Sequence, residues 1–100
     1  MAFDIKFKPI ALIDVDEVVA WYEKRRKGLG AQFLSSLSKT FEDIKSNHFS
    51  YIIISKPVQR ALIKRFPYKT LFIVEGELIT IIAIIHAKRS KRYITSRLKK

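Results

Sequence analysis

The stretch YKTLFIVEGELITIIAIIH, running from Tyr68 to His86, decides the fold. Tyr68 to Val74 is rich in β-branched and aromatic residues, Glu75-Gly76-Glu77 makes a tight turn, and Leu78 to His86 returns as the hairpin partner. Strict alternation places Leu78, Ile82 and Ile84 on one face of the returning strand, and Ile79, Ile81, Ala83 and Ile85 on the other. A strand apolar on both faces needs cover on both.

Upstream, Val58 to Phe66 reads as the preceding strand, with Arg60, Leu62 and Lys64 facing one way and Ala61, Ile63 and Arg65 the other. Pro67 separates it from the hairpin. The segment His48 to Lys56, with Tyr51-Ile52-Ile53-Ile54 at its centre, reads either as a short extra strand or as an apolar loop. Its β-rich, uncharged core would aggregate if exposed.

At the other end, Phe3, Ile5 and Phe7 alternate with Asp4, Lys6 and Lys8, the period of a half-buried strand that Pro9 closes. Ala11, Val15, Val18, Val19 and Tyr22 then recur at helical spacing. Asp14 and Glu17 are spaced as a capping box, although the helix can begin a turn sooner. Lys24 to Lys27 fill the last turn and Gly28 terminates it. A second helix after Gly28-Leu29-Gly30 carries Phe33, Leu34, Leu37, Phe41 and Ile44 on one face, with Ser35, Ser36, Lys39, Glu42 and Asp43 mostly opposite. The joint is short enough to demand a helical hairpin. The predicted class is α+β, ordered β-α-α-β-β-β. The N-terminal helical hairpin packs on one face of a small, mainly antiparallel sheet, in one domain over residues 1–100. The helices cover one face of that sheet; a partner protein or the basic tail covers the other.

The composition narrows function. At 100 residues with 48% hydrophobic content, the chain builds a core and is not disordered. Without cysteine, disulfides, thiolate metal sites and cysteine nucleophiles are excluded, and a reducing, cytoplasmic setting is expected. No signal peptide is read at the N-terminus, and the longest apolar run, Leu78 to Ile85, is too short to span a bilayer. The net charge of +11 is lopsided. Residues 1–50 hold eight basic and seven acidic residues, whereas residues 51–100 hold twelve basic residues against Glu75 and Glu77. Such polarity attracts nucleic acid, acidic protein or an anionic membrane. The helices carry mixed charge rather than a basic amphipathic face, which argues against a membrane partner. His48 and His86 are the only histidines, with no carboxylate cluster beside them, so no metal or other cofactor is expected.

Trp21-Tyr22-Glu23 followed by Gly28-Leu29-Gly30 and Phe33-Leu34, then Arg65-Phe66-Pro67-Tyr68, then Ile85-His86 with Arg89 and Arg97 downstream, together resemble the RelE/ParE superfamily of toxins from type II toxin–antitoxin modules. The resemblance runs through nearly the whole chain in the same order. It implies a growth-arresting protein neutralised by a cognate acidic antitoxin. It also implies one of two activities: inhibition of DNA gyrase, as in ParE-like members, or metal-independent cleavage of messenger RNA on the ribosome, as in RelE-like ones. The Trp-Tyr-Glu…Gly-Leu-Gly hairpin is the form more often seen in ParE-like members. The family's proline-containing turn before the second strand is replaced here by the longer, apolar His48–Lys56.

RNA cleavage needs a 2′-hydroxyl deprotonated, a 5′-oxygen protonated and cations on the phosphoryl oxygens. His86, Arg89 and Tyr93 are the catalytic candidates for that chemistry. Arg60, Lys64, Arg65, Arg89, Arg92 and Arg97 are the candidates for nucleic-acid or target binding. The lysine pair expected near the second strand is represented only by Arg60 and Lys64, and Tyr93 arrives early. Both departures favour the gyrase-type reading. Each candidate also has a plain structural role: His86 packed at a strand end, Tyr93 covering the sheet edge, Arg97 capping the core with its stem. A non-toxic, basic nucleic-acid-binding module is the further alternative.

Overall fold

The computed structural model describes residues 3–98. β1 (Asp4–Phe7) leads into α1 (Pro9–Arg25) and α2 (Leu29–Asn47), and a single 3-10 turn spans His48–Ser50. Four strands follow, β2 (Ile53–Ser55), β3 (Val58–Leu62), β4 (Tyr68–Glu75) and β5 (Leu78–His86), before α3 (Lys91–Leu98). They form one sheet in the order β1-β5-β4-β3-β2, antiparallel except where β1 runs parallel to β5. The architecture is the expected α+β one with two additions. The apolar His48–Lys56 segment contributes an edge strand, and the basic tail is a helix. No helix among the described residues is long and apolar enough to cross a membrane.

The hairpin closes through backbone chemistry. Gly28 adopts a left-handed φ of 90°, which a side chain would resist. The Glu23 carboxylate accepts the Gly28 and Gly30 amides at 2.9 and 3.0 Å. A Cβ at Gly30 would lie 3.0 Å from the Val19 carbonyl oxygen, so glycine sets how closely α2 can approach α1. Tyr22, Phe33, Phe66 and Tyr68 then pack ring on ring, with centroids 4.9 Å apart for Tyr22–Phe66 and 5.2 Å for Phe33–Phe66. The Trp-Tyr-Glu…Gly-Leu-Gly and Arg-Phe-Pro-Tyr motifs are thus accounted for by closure and core packing. Trp21 is the exception: half exposed, it lies under the Arg25 guanidinium at 4.2 Å.

Three expectations are corrected. α1 starts at Pro9, where the missing N–H costs nothing, so Asp14 lies inside the helix and no capping box forms. β3 ends at Leu62; Lys64 and Arg65 sit in the following turn, Arg65 with φ of 74°. The alternation along β5 is broken, because Leu71 pairs with Ala83 and Phe72 with Ile81, leaving Ile82 as the extra residue of a β-bulge. Ile79, Ile81 and Ile84 therefore face the helices, whereas Ile82, Ala83 and Ile85 face away.

That second face is not bare. Tyr93 and Ile94 of α3, with Leu98, pack on Val58, Leu71, Ile82, Ala83 and Ile85, all of which are buried. Of the two covers expected, the tail supplies this one, and the far side of β5 is not an open platform for a partner.

Candidate functional site

α3 packs on the sheet through Tyr93, Ile94 and Leu98 and leaves a cavity of about 490 Å³ beside it. Arg60 from β3, Lys69 from β4, Arg89 from the β5–α3 turn and Lys91 at the start of α3 line it, with Ile54, Ser55, Ile94, Thr95 and Leu98. Strand parity puts Lys69 here: Tyr68 and Phe72 belong to the helix side, and Leu71 and Ile73 to this one. Only 8% of Lys69 is exposed, and its Nζ donates to the Ala87 carbonyl at 3.3 Å. Burial, and then repulsion from Arg60, pushes its pKa below the ordinary lysine value. Four cations around one recess, with no histidine, tyrosine or carboxylate among the described lining residues, make it a cationic cleft whose potential attracts anions.

His86, Arg89, Tyr93 and Arg97 meet elsewhere. They line a smaller cleft of about 170 Å³ at the edge of β5, together with Asp14, Glu17 and Tyr68. β1 runs out where Phe7 pairs with Ile81, so beyond that point the edge of β5 meets no further strand among the described residues. Asp14 serves it: its Oδ2 accepts the Ile84 amide at 3.0 Å and the Arg97 Nη2 at 2.7 Å. Arg97 Nη1 also donates to the Tyr93 hydroxyl at 3.2 Å. Burial works against the Arg97 charge, but its hydrogen bonds to Asp14 and Tyr93 outweigh that and raise its pKa. The Arg89 guanidinium stacks 4.3 Å from the Tyr93 ring centroid. His86 meets Tyr68 edge-on at 5.2 Å, and its Nδ1 accepts the Lys88 amide at 3.1 Å. Ser90 Oγ accepts the Tyr93 amide at 3.1 Å and caps α3.

The candidates are therefore divided. Arg89 belongs to both clefts, and Arg60 is shared between the cationic cleft and a groove where Lys64 and Arg65 also lie. Arg97 is committed to Asp14, and Arg92 is exposed and lines none of these three cavities. Sequence reasoning missed Lys69, Lys91 and Asp14. A lone lysine within the apolar run from Tyr68 to Val74 was the available signal for the first. Among the described residues no three metal-ligating side chains gather.

No family model matches the sequence, and no curated protein matches it. Solved structures do. A chain of the chromosomal ParDE TA system from P. aeruginosa is similar with a TM-score of 0.73 at 17% identity, over 84% of this chain and 95% of that one. A double arginine-to-alanine mutant of E. coli toxin RelE in the free state gives 0.73 at 16% identity, over 99% and 97% of the two chains. The isolated E. coli RelE toxin gives 0.65 at 17% identity, over 98% of each. The chain has the RelE/ParE toxin fold.

Proposed function

We propose that this chain is the toxin component of a type II toxin–antitoxin module, arresting growth by binding DNA gyrase until an acidic antitoxin restrains it. The observation that carries the choice of binding over cutting is the cationic cleft. Arg60, Lys69, Arg89 and Lys91 attract an anion, yet no described residue lining the cleft is a histidine, tyrosine or carboxylate suited to proton transfer. His86 and Tyr93 are turned into the separate Asp14–Arg97 cleft, and the Tyr93 hydroxyl is engaged there. The Trp-Tyr-Glu…Gly-Leu-Gly motif carries no weight in choosing the target, since hairpin closure accounts for its glutamate and both glycines.

A second reading rests on Lys69. A buried ammonium whose pKa is lowered is better able to exchange a proton, and Arg60 and Arg89 beside it would stabilise a phosphorane. This favours ribosome-dependent cleavage of messenger RNA. Inducing the protein with and without an antitoxin, then assaying gyrase supercoiling beside messenger RNA cleavage on ribosomes, decides between them. Supercoiling inhibited with transcripts intact is expected; transcripts cut with gyrase untouched assigns the second reading. An Arg89→Ala variant that folds should lose toxicity under either, and full toxicity would remove Arg89 from the active set. Harmless accumulation of the folded, uninhibited protein would leave a basic binding module.

A further inference from the structure

Between the polar face of α2 and the end of β3 lies a recess of about 660 Å³, the size of a small-molecule site. Lys39 of α2, Arg60 of β3, and Lys64 and Arg65 of the turn that follows line it, against the single acid Asp43. Among the described residues none of these four cations forms an ion pair, so their charge is left without a carboxylate to neutralise it. Arg65 stands there at a cost. Its φ of 74° is left-handed, where a Cβ crowds the following carbonyl and glycine is at ease. A side chain kept at a strained position and lining a recess points to a role in that recess. Beside the cations, Ile52 and Leu62 present an apolar shelf, each of them 58% exposed. Tyr51 stands next to it, edge-on to Phe72 at 5.9 Å; burial raises its pKa first and the Asp43 carboxylate raises it further, which places that carboxylate close by.

We infer that this recess binds a free nucleotide, with its phosphates on Arg60, Lys64 and Arg65, its base on Ile52 and Leu62, and its ribose hydroxyls toward Asp43. The inference rests on the recess alone and holds whether or not the chain arrests growth. Three observations select the ligand. Four cations against one carboxylate leave three positive charges, which a nucleoside diphosphate balances with about three negative ones at neutral pH. The apolar shelf gives a flat, neutral ring a place that an inorganic anion does not use. Asp43 repels an anion but accepts hydrogen bonds from a ribose, as an acidic residue does in other nucleotide sites. Arg60, Lys64 and Arg65 together suit a terminal phosphate, which carries about two charges where a phosphodiester within a chain carries one.

The test titrates the full-length protein with ADP, and with adenosine and pyrophosphate as its two halves, by calorimetry at physiological salt. ADP is expected to bind about tenfold more tightly than either half. Leu62→Ser, at an exposed position, should weaken ADP about tenfold while leaving pyrophosphate unchanged. Arg65→Gly should weaken both by about tenfold yet hold or raise the melting temperature, because glycine relieves the left-handed φ. Lys24→Ala, exposed near the end of α1, should change neither affinity. ADP binding no tighter than pyrophosphate would overturn the inference, as would ADP affinity indifferent to both Leu62→Ser and Arg65→Gly. A lower melting temperature in Arg65→Gly with ADP affinity kept would give Arg65 a structural role alone and overturn its part. Equal weakening by Lys24→Ala and Arg65→Gly would replace the site by diffuse charge. An oligoadenylate without a terminal phosphate that loses as much affinity as ADP in both groove variants would assign the recess to a nucleic-acid chain instead.

Discussion

Lys69 carries a charge into a place where solvent barely reaches, held by one hydrogen bond to the Ala87 carbonyl. Its pKa lies below the ordinary 10.5, chiefly because burial disfavours the ammonium, so the folded state binds fewer protons than the unfolded one between the two values. Stability attributable to this group therefore rises as pH climbs through that window, and the charged form costs stability at neutrality. Lys69→Met should raise the unfolding free energy by about 1 kcal/mol at pH 7 while abolishing toxicity, with the advantage shrinking towards pH 10. Denaturant melts at both pH values check this, and a less stable variant would show the ammonium to be well compensated. Its neighbour Thr70 presents the opposite case. Thr70 is fully buried and its Oγ1 has no hydrogen-bond partner among the described residues. Thr70→Val keeps the shape and removes the orphan hydroxyl, so it should stabilise by about 1–2 kcal/mol with toxicity intact; unchanged or lower stability in denaturant melts would argue against that accounting. Both residues occur in a run whose strand character was plain. What pattern alone did not supply was which lysine would be buried, because that depends on where the α3 tail settles.

At the scale of elements, the α1–α2 hairpin depends on one exposed carboxylate. Glu23 has its pKa lowered, first by the Gly28 amide and then by the Gly30 amide. A group depressed in this way contributes stability above its unfolded pKa and loses it as pH falls through the lowered folded value. Glu23→Gln should remove this part of the acid sensitivity below about pH 4.5, read as a flatter melting temperature against pH than the parent shows; parallel curves would mean the carboxylate contributes nothing. α3 depends on a partly buried pair instead. Arg97→Ala leaves Asp14 with only the Ile84 amide, so a loss of about 2–3 kcal/mol and faster amide exchange across residues 91–98 are expected. Unchanged exchange would show that Tyr93, Ile94 and Leu98 alone hold the helix. The helical hairpin and the β4–β5 hairpin were legible because their helices and strands repeat a period. The bulge at Ile82 was not, since one inserted residue reverses every side chain beyond it without altering composition. Asp14 was misread for a related reason: Pro9 moved the helix start and turned an apparent cap into a support for the bulged strand.

Across the whole molecule, charge and cover divide the surface. Seven of the nine acidic residues precede residue 51, while the sheet face beneath α3 gathers cations contributed by β3, β4 and the tail. The charge asymmetry was legible by counting, but its focus was not, because Arg60 and Arg89 are far apart in sequence and meet only through the register of β3, β4 and β5. A diffuse positive field and a focused cleft predict different responses to salt. In a diffuse field every lysine and arginine counts alike, so removing any one changes affinity for a polyanion by a similar amount. In a cleft, a few cations displace counterions together and the rest are spectators. With single-stranded RNA as a polyanion probe, contacts from Arg60, Lys69, Arg89 and Lys91 give a slope of log affinity against log salt near −3, at about −0.7 per contact. Arg60→Ala or Arg89→Ala should each make that slope shallower by about 0.7, whereas Lys24→Ala at the exposed end of α1 should leave it unchanged. Fluorescence titrations across a salt series measure all three. Equal changes from Lys24 and Arg89 would reduce the cleft to one patch of a uniformly basic surface, and with it the case that this fold holds its target through the face α3 partly covers.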